Sequence, residues 1–208
     1  MDLKVWLNYF YPKIVEDFEF SVKDDERAAK FMHDLGREKL LDSSVLGDII
    51  EGRDVIVIGG AVGEKDIERL KPGWVKITAG KSILKIRKFM PDFVPEVHVT
   101  DMEEPDELLM ELERRGCILI LHAHGDNVHR IESVIPKLRR FVATTQFKPF
   151  GRVYNFTGFT DGDRAVIIAK TFKARTIELA GFDFDRAEGI KLKKLKWARK
   201  ILEFEGII

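Results

Sequence analysis

The sequence predicts an α/β protein: a Rossmann-like, mostly parallel sheet flanked by helices, with an N-terminal helical extension. Three observations carry that expectation. From Asp54 onward, short β-branched runs alternate with stretches of helical period, the mark of βαβ units. Small, acidic and amide residues follow those runs, whereas plainer residues precede them. Residues 1–50 show helical spacing and no strand-like run. The expected division is a helical extension over 1–50 and an α/β domain over 51–208.

In the extension, Trp6, Tyr9, Phe10 and Ile14 fall at helical spacing. Asp24-Asp25-Glu26 opens a second helix through Phe31, and a third runs from about Arg37 to Ile50. The aromatic stripe reads as core or subunit interface, so a homodimer through these helices is expected. In the main domain the strands are Val55–Ile58, Val75–Thr78, Glu96–Thr100, Cys117–Leu121, Phe141–Thr144, Val153–Phe156 and Thr176–Leu179. The helices between and after them are Glu64–Leu70, Lys81–Phe89, Pro105–Arg115, Val128–Arg140, Asp161–Phe172 and Arg186–Phe204.

Composition narrows the class. At 208 residues the chain can bury a substantial core, and 45% hydrophobic content argues against disorder. Lys+Arg and Asp+Glu balance at 35 each, which argues against coating nucleic acid or an anionic membrane. No apolar run approaches the ~20 residues that span a bilayer. Asp2, Lys4, Glu16 and Asp17 among the first aromatics do not read as a signal peptide. The lone cysteine, Cys117, sits in an apolar run and fits a reducing compartment. A cytoplasmic protein is expected. Gln146 is the only glutamine, and Lys, Glu and Arg abound, a bias seen in heat-adapted proteins.

The residues just past each strand carry the chemistry. The sharpest cluster is His122-Ala123-His124-Gly125-Asp126-Asn127, where a buried strand runs into polar groups just ahead of a helix. In open sheets ligands sit at the carboxyl ends of strands, so this crevice is expected to organise the protein. Asp101 ends the preceding strand. Neighbouring strands lie ~4.8 Å apart, so if these two strands are neighbours Asp101 and Asp126 can share a magnesium, which takes one or two carboxylates plus water and phosphate oxygens. Either aspartate alone also reads as a helix N-cap.

Other strand ends are more ambiguous. Gly59-Gly60-Ala61-Val62-Gly63 opens a helix and suits a phosphate, or is simply a tight turn. It lacks the spacing of a dinucleotide fingerprint. Ala79-Gly80-Lys81-Ser82 mimics the end of a P-loop, but Val75 stands where its first glycine belongs. Lys81 remains a candidate phosphate contact or a solvated lysine. Thr160 and Asp163 form a capping-box variant, which leaves Asp161, Gly162 and Arg164 to suit a metal–phosphate site. His122-x-His124 lacks the further histidines of a zinc hydrolase, so phosphate contacts or acid–base work suit the pair better.

Several segments together resemble the archaeal 6-hydroxymethyl-7,8-dihydropterin pyrophosphokinases, whose catalytic domain is similar to that of thiamin pyrophosphokinases. They are Val99-Thr100-Asp101, the His122–Asn127 cluster, Thr144-Thr145-Gln146, Asn155, Gly158-Phe159-Thr160-Asp161-Gly162-Asp163-Arg164-Ala165 and Gly181-Phe182-Asp183. The family usually carries an aspartate after the second strand, where Ala79-Gly80 stands, and often a second one after Asp101, where Glu103 stands. The resemblance implies transfer of diphosphate from ATP to the primary alcohol of a reduced pterin, releasing AMP. It implies magnesium at Asp101, Glu103 and Asp126, and phosphate contact or alcohol deprotonation by His122, His124 and Arg164, with Asp126 also catalytic. Gln146, Asn155 and Asp183 are the expected partners of the pterin edge. Gly59, Gly60, Lys81, Asn127, Thr145, Asp161 and Asp163 complete the expected ATP and pterin contacts. A metal-dependent phosphohydrolase and a non-catalytic nucleotide-binding member of the fold are the alternatives.

Overall fold

A computed structural model describes residues 1–208. The sheet has seven strands, all parallel: β1 (Asp54–Ile58), β2 (Val75–Ala79), β3 (Val97–Thr100), β4 (Ile118–Ala123), β5 (Val142–Thr145), β6 (Val153–Tyr154) and β7 (Thr176–Ala180). Their spatial order is β6-β5-β4-β3-β2-β1-β7. The chain therefore walks outward from β1 to β6 and then returns to the far side of β1. That reversal lies between β1 and β7, three strands from the end of β4. The cluster after β4 is thus not at the topological switch point, which the sequence alone does not locate.

The strands are apolar on both sides because both faces are covered. Ile56, Ile58, Leu119 and Leu121 belong to one core, whereas Val55, Val57, Ile118 and Ile120 belong to the other. The alternation follows from the two-residue period of a strand.

The chain opens with α1 (Leu3–Val5), a π-helical segment Trp6–Phe10 and α2 (Tyr11–Phe18). The widened turn helps bring Trp6 and Tyr11, five apart, into stacking contact. Trp6, Phe10 and Ile14 of the predicted stripe, with Tyr11, are buried against Phe159, Ile167, Trp197 and Ile201, so the stripe is core except at Tyr9, which is exposed. Next come α3 (Val22–Gly36), capped by Ser21, and α4 (Ser44–Ile50). The expected single helix over 37–50 is broken instead: Leu40 bridges to Phe141 beside the sheet.

Five helices complete the chain before the last: α5 (Glu64–Ile67), α6 (Ser82–Phe89), α7 (Asp106–Arg114), α8 (Val128–Val134) and α9 (Asp161–Thr171). The last, α10 (Gly189–Phe204), follows β7. All are shorter than expected, α8 most of all and α5 and α10 by three residues each. Beyond Val134 the chain tightens into a 3₁₀ turn at Ile135–Lys137, because Pro136 lacks the N–H a helix needs. Helix α5 ends at Ile67, ahead of Pro72-Gly73. No helix is long and apolar enough to cross a membrane.

Candidate active site

β3 and β4 are neighbours, with Thr100 beside Leu121, so Asp101 and the His122–Asn127 cluster emerge side by side. The turn after β4 is held by Asn127. Its Nδ2 donates to the carbonyls of His122 (2.8 Å) and Asp101 (3.2 Å), and its Oδ1 accepts from the His124 N–H. Asn127 thus fixes the loop and has no free edge for a ligand.

His124 lies between two carboxylates, Nε2 at 3.5 Å from Asp101 and Nδ1 at 3.9 Å from Asp126. Burial pushes the His124 ring down, but Asp101, Asp126 and Asp25 outweigh it and raise the pKa. His122 is the opposite case. Burial first and the nearby Arg164 charge second drive its pKa well down, so the ring is neutral. Its tautomer follows from its neighbour. Thr144 Oγ1 donates its one hydrogen to the Leu121 carbonyl and therefore accepts from His122 Nδ1–H at 3.0 Å. The lone pair is left on Nε2, which is buried with no partner.

The start of α9 completes this centre. Arg164 is buried, its Nη1 standing 3.0 Å from Asp161 and 3.6 Å from Asp101 while Nη2 donates to the Phe159 carbonyl. Burial raises the Asp101 carboxyl, yet His124 and Arg164 reverse this and hold it below the usual carboxylate range. Burial and the adjacent Asp101 charge push Asp161 well above that range. Two carboxylates this close cannot both hold a charge easily, and Asp161 is the one whose pKa is raised. A side chain on Gly80, whose φ is +50°, would meet Asp161 Oδ2 at 2.8 Å. The carboxylate in the space after β2 is therefore supplied by Asp161, where the resemblance leads one to look for an aspartate at Ala79-Gly80.

Asp163 does not join them. It accepts from the Phe159 and Thr160 N–H groups at 2.7 Å each and from the Thr160 hydroxyl, which is the capping box expected for this helix. Asn155 is likewise committed, donating to Phe147 and accepting from Thr157. Thr145 accepts from the Phe147 N–H. Gln146 donates to Asp25 at 2.7 Å.

The expected three-carboxylate magnesium set is not assembled. Glu103 is exposed and pairs with Lys81 at 2.5 Å. No group of three or more His, Cys, Asp or Glu side chains is arranged to hold a metal ion. Asp101 and Asp126 do line one open mouth, with Lys81, Glu103 and His124. Asp101 Oδ1 is buried there without a hydrogen-bond partner. A cation that needs only one or two carboxylates fits this donor set.

Gly59, Gly60, Asp163 and Asp183 line a separate cavity of about 380 Å³ at the β1–β7 reversal. Lys85, Arg186 and Lys191 supply cations to it, and Phe182 supplies an aromatic wall. Asp183 caps its own loop, accepting from the Asp185 and Arg186 N–H groups. The rim thus holds two sites bridged by the first turn of α9.

The profile of the family described as "6-hydroxymethylpterin diphosphokinase MptE-like" matches residues 36–189. The chain belongs to that family. It is 35% identical to the 6-hydroxymethyl-7,8-dihydropterin pyrophosphokinase of Methanocaldococcus jannaschii, over 98% of this chain and 95% of that one. The enzyme of the same name from Methanothermobacter thermautotrophicus is 31% identical over the same shares. That of Pyrococcus furiosus is 33% identical over 94% and 90%.

Two residues with a place here gave no signal in the sequence. Asp25 read only as the opening of a helix, and Glu104 only as loop. Glu104 is buried beside His98 and accepts from the Thr100 hydroxyl at 2.5 Å, propping the turn that carries Asp101.

Proposed function

We propose that the protein transfers diphosphate from ATP to the hydroxymethyl group of 6-hydroxymethyl-7,8-dihydropterin and releases AMP. Membership of a pterin diphosphokinase family makes it a diphosphotransferase. The observation that supports the specific reading most is the meeting of Asp101, Asp161, Arg164 and His124 on one rim. In the reaction the alcohol oxygen bonds to the β-phosphorus, and the bond from that phosphorus to the α–β bridging oxygen breaks. AMP leaves with the electron pair, and the alcohol proton passes to a base. Such chemistry needs alignment and charge neutralisation more than covalent assistance.

In this reading the β1–β7 cavity takes the nucleotide: Gly59 and Gly60 let phosphate approach the backbone, and Lys85, Arg186 and Lys191 balance its charge. Asp101 and Asp126 are the residues that would hold magnesium, which when bound neutralises phosphate oxygens. The His124 ring, its pKa raised by Asp101 and Asp126 and its Nδ1 accepting from the Asp126 N–H, faces the transferred group. His122 Nε2, aprotic and unpartnered, is the acceptor for the alcohol hydrogen. Arg164 acts by offsetting the charge of Asp101 and Asp161 rather than by touching phosphate, because its guanidinium is already engaged with them and with the Phe159 carbonyl. We also propose a cytoplasmic location, and a homodimer built on the exposed Tyr9 and Phe204, which light scattering tests directly.

The test is incubation with ATP, magnesium and the hydroxymethyl-dihydropterin. AMP and the pterin diphosphate are expected. ADP would mean ordinary kinase chemistry, phosphate without an acceptor would mean a hydrolase, and ATP binding without turnover would mean a non-catalytic member.

A further inference from the structure

Asp25 lies ahead of the matched family segment, on the first turn of α3, and is 2% exposed. No Lys, Arg or His side chain pairs with it. Its carboxylate is met instead by three neutral donors from three separate parts of the chain. Tyr11 Oη donates to Oδ2 at 2.6 Å, Gln146 Nε2 donates to the same oxygen at 2.7 Å, and the Gly125 N–H donates to Oδ1 at 2.9 Å. A buried carboxylate is costly unless so satisfied, and hydrogen bonds to a charged acceptor are the strong ones.

Two of those donors belong to the candidate site. Gly125 sits between His124 and Asp126, and Gln146, which follows β5, lines the same mouth as those three residues. A second contact pins the same glutamine: Trp6 Nε1 donates to its carbonyl at 2.7 Å. A third observation is steric. A Cβ on Gly125 would meet Asp24 Cβ at 2.8 Å, so the helix and the loop are already as close as a glycine allows.

We propose that Asp25 is a positioning residue, fixing the His124–Asp126 turn and Gln146 from the N-terminal helices, so that these helices are part of the active site. One carboxylate sets two loops that leave neighbouring strands, and Tyr11 anchors it from behind. Substituting Asp25→Asn keeps the size but turns one oxygen into a donor facing two donors. Tyr11→Phe weakens the same buried group without touching either loop.

The kinetic arm rests on the diphosphotransferase reading; a second arm does not. Both variants are expected to unfold at lower temperature than the wild type. Assayed where each is fully folded, Asp25→Asn should lose about 30-fold or more in kcat, within what an ångström of misplacement costs. Its KM for ATP should stay within about twofold, since the nucleotide cavity is elsewhere. Tyr11→Phe, which leaves the Asp25 bonds to Gly125 and Gln146 in place, should lose about 5-fold or less in kcat. Independently of turnover, the Gly125 amide should exchange with solvent faster in Asp25→Asn and not in Tyr11→Phe. If Asp25→Asn does not fold, Gly125→Ala, which pushes helix and loop apart, should give the same kcat loss. Equal kcat in all variants, or an unchanged Gly125 amide, would make Asp25 a core group and nothing more. A wild type inactive on the pterin with the Gly125 effect intact would remove the diphosphotransferase reading and leave the positioning standing.

Discussion

At the amino ends of the strands, Arg87 grips both oxygens of Glu111 at 2.9 and 3.0 Å, and Arg115 adds a third bond at 2.9 Å. Arg175 does the same for Asp54, and Lys71 pairs with Glu178 at 2.9 Å. At the carboxyl ends, Asp101 and Asp161 crowd together around one guanidinium, and Asp101 Oδ1 and His122 Nε2 are buried with no partner. One rim has spent its polar capacity on itself, while the other has kept some back. Unspent capacity in a buried group costs stability, so its concentration at one rim marks where a ligand completes the structure.

The contrast between the rims is broken most severely at Arg164. Arg164→Ala removes the guanidinium that Asp101 and Asp161 share, and breaking a buried ion pair costs about 3–5 kcal/mol. Turnover should fall by roughly three orders of magnitude, within the range seen when electrostatic groups are removed. Urea unfolding together with AMP release measures both losses, and a stable, active variant would refute the arrangement. Asp126→Ala should separate the two effects. Asp126 is exposed and holds nothing in place through its side chain, so melting should hardly change while turnover falls about 100-fold. Full activity in Asp126→Ala would dismiss its metal role. Thr144→Val comes next. It removes the acceptor that fixes the His122 tautomer, and about 10-fold in kcat is expected. Nitrogen NMR of His122 should show Nδ1 protonated in the wild type and a tautomer mixture in the variant; an unchanged spectrum would refute the assignment.

Much of this rim was legible in the sequence, since strand ends declare themselves by the residues that succeed apolar runs. All seven strands, the polar ends of β3 and β4, and the Thr160–Asp163 cap follow from local pattern. Three features do not. The β1–β7 reversal depends on which strands pair, which no local period encodes. Asn127, Asn155 and Asp163 look like ligand groups in a sequence and prove to be loop fasteners, because short polar side chains satisfy backbone nearby at least as readily as they reach a ligand. Glu103 pairs with Lys81, two loops away, and so leaves the expected metal set. Asp25 is the reverse case: an ordinary helix start that acquires its role from partners 14, 100 and 121 residues off.

The mildest perturbation tests whether the rims are independent. Arg87 and Arg115 hold the Glu111 carboxyl down at about 2, below an unfolded value near 4.3. Between those values the unfolded chain binds the extra proton, so this pair contributes stability that is complete above pH ~4.3 and is lost as pH falls toward ~2. The side chain is well solvated, so the contribution is at most about 1 kcal/mol. Glu111→Gln should therefore flatten the acid limb of an unfolding titration between those pH values and leave kcat at neutral pH unchanged. If the acid limb does not flatten, the ion pair is idle. If instead kcat drops, the amino rim reaches the chemistry and the contrast between the two ends of the sheet fails, because a group some five residues of strand away from the site would have to move it through the packed sheet.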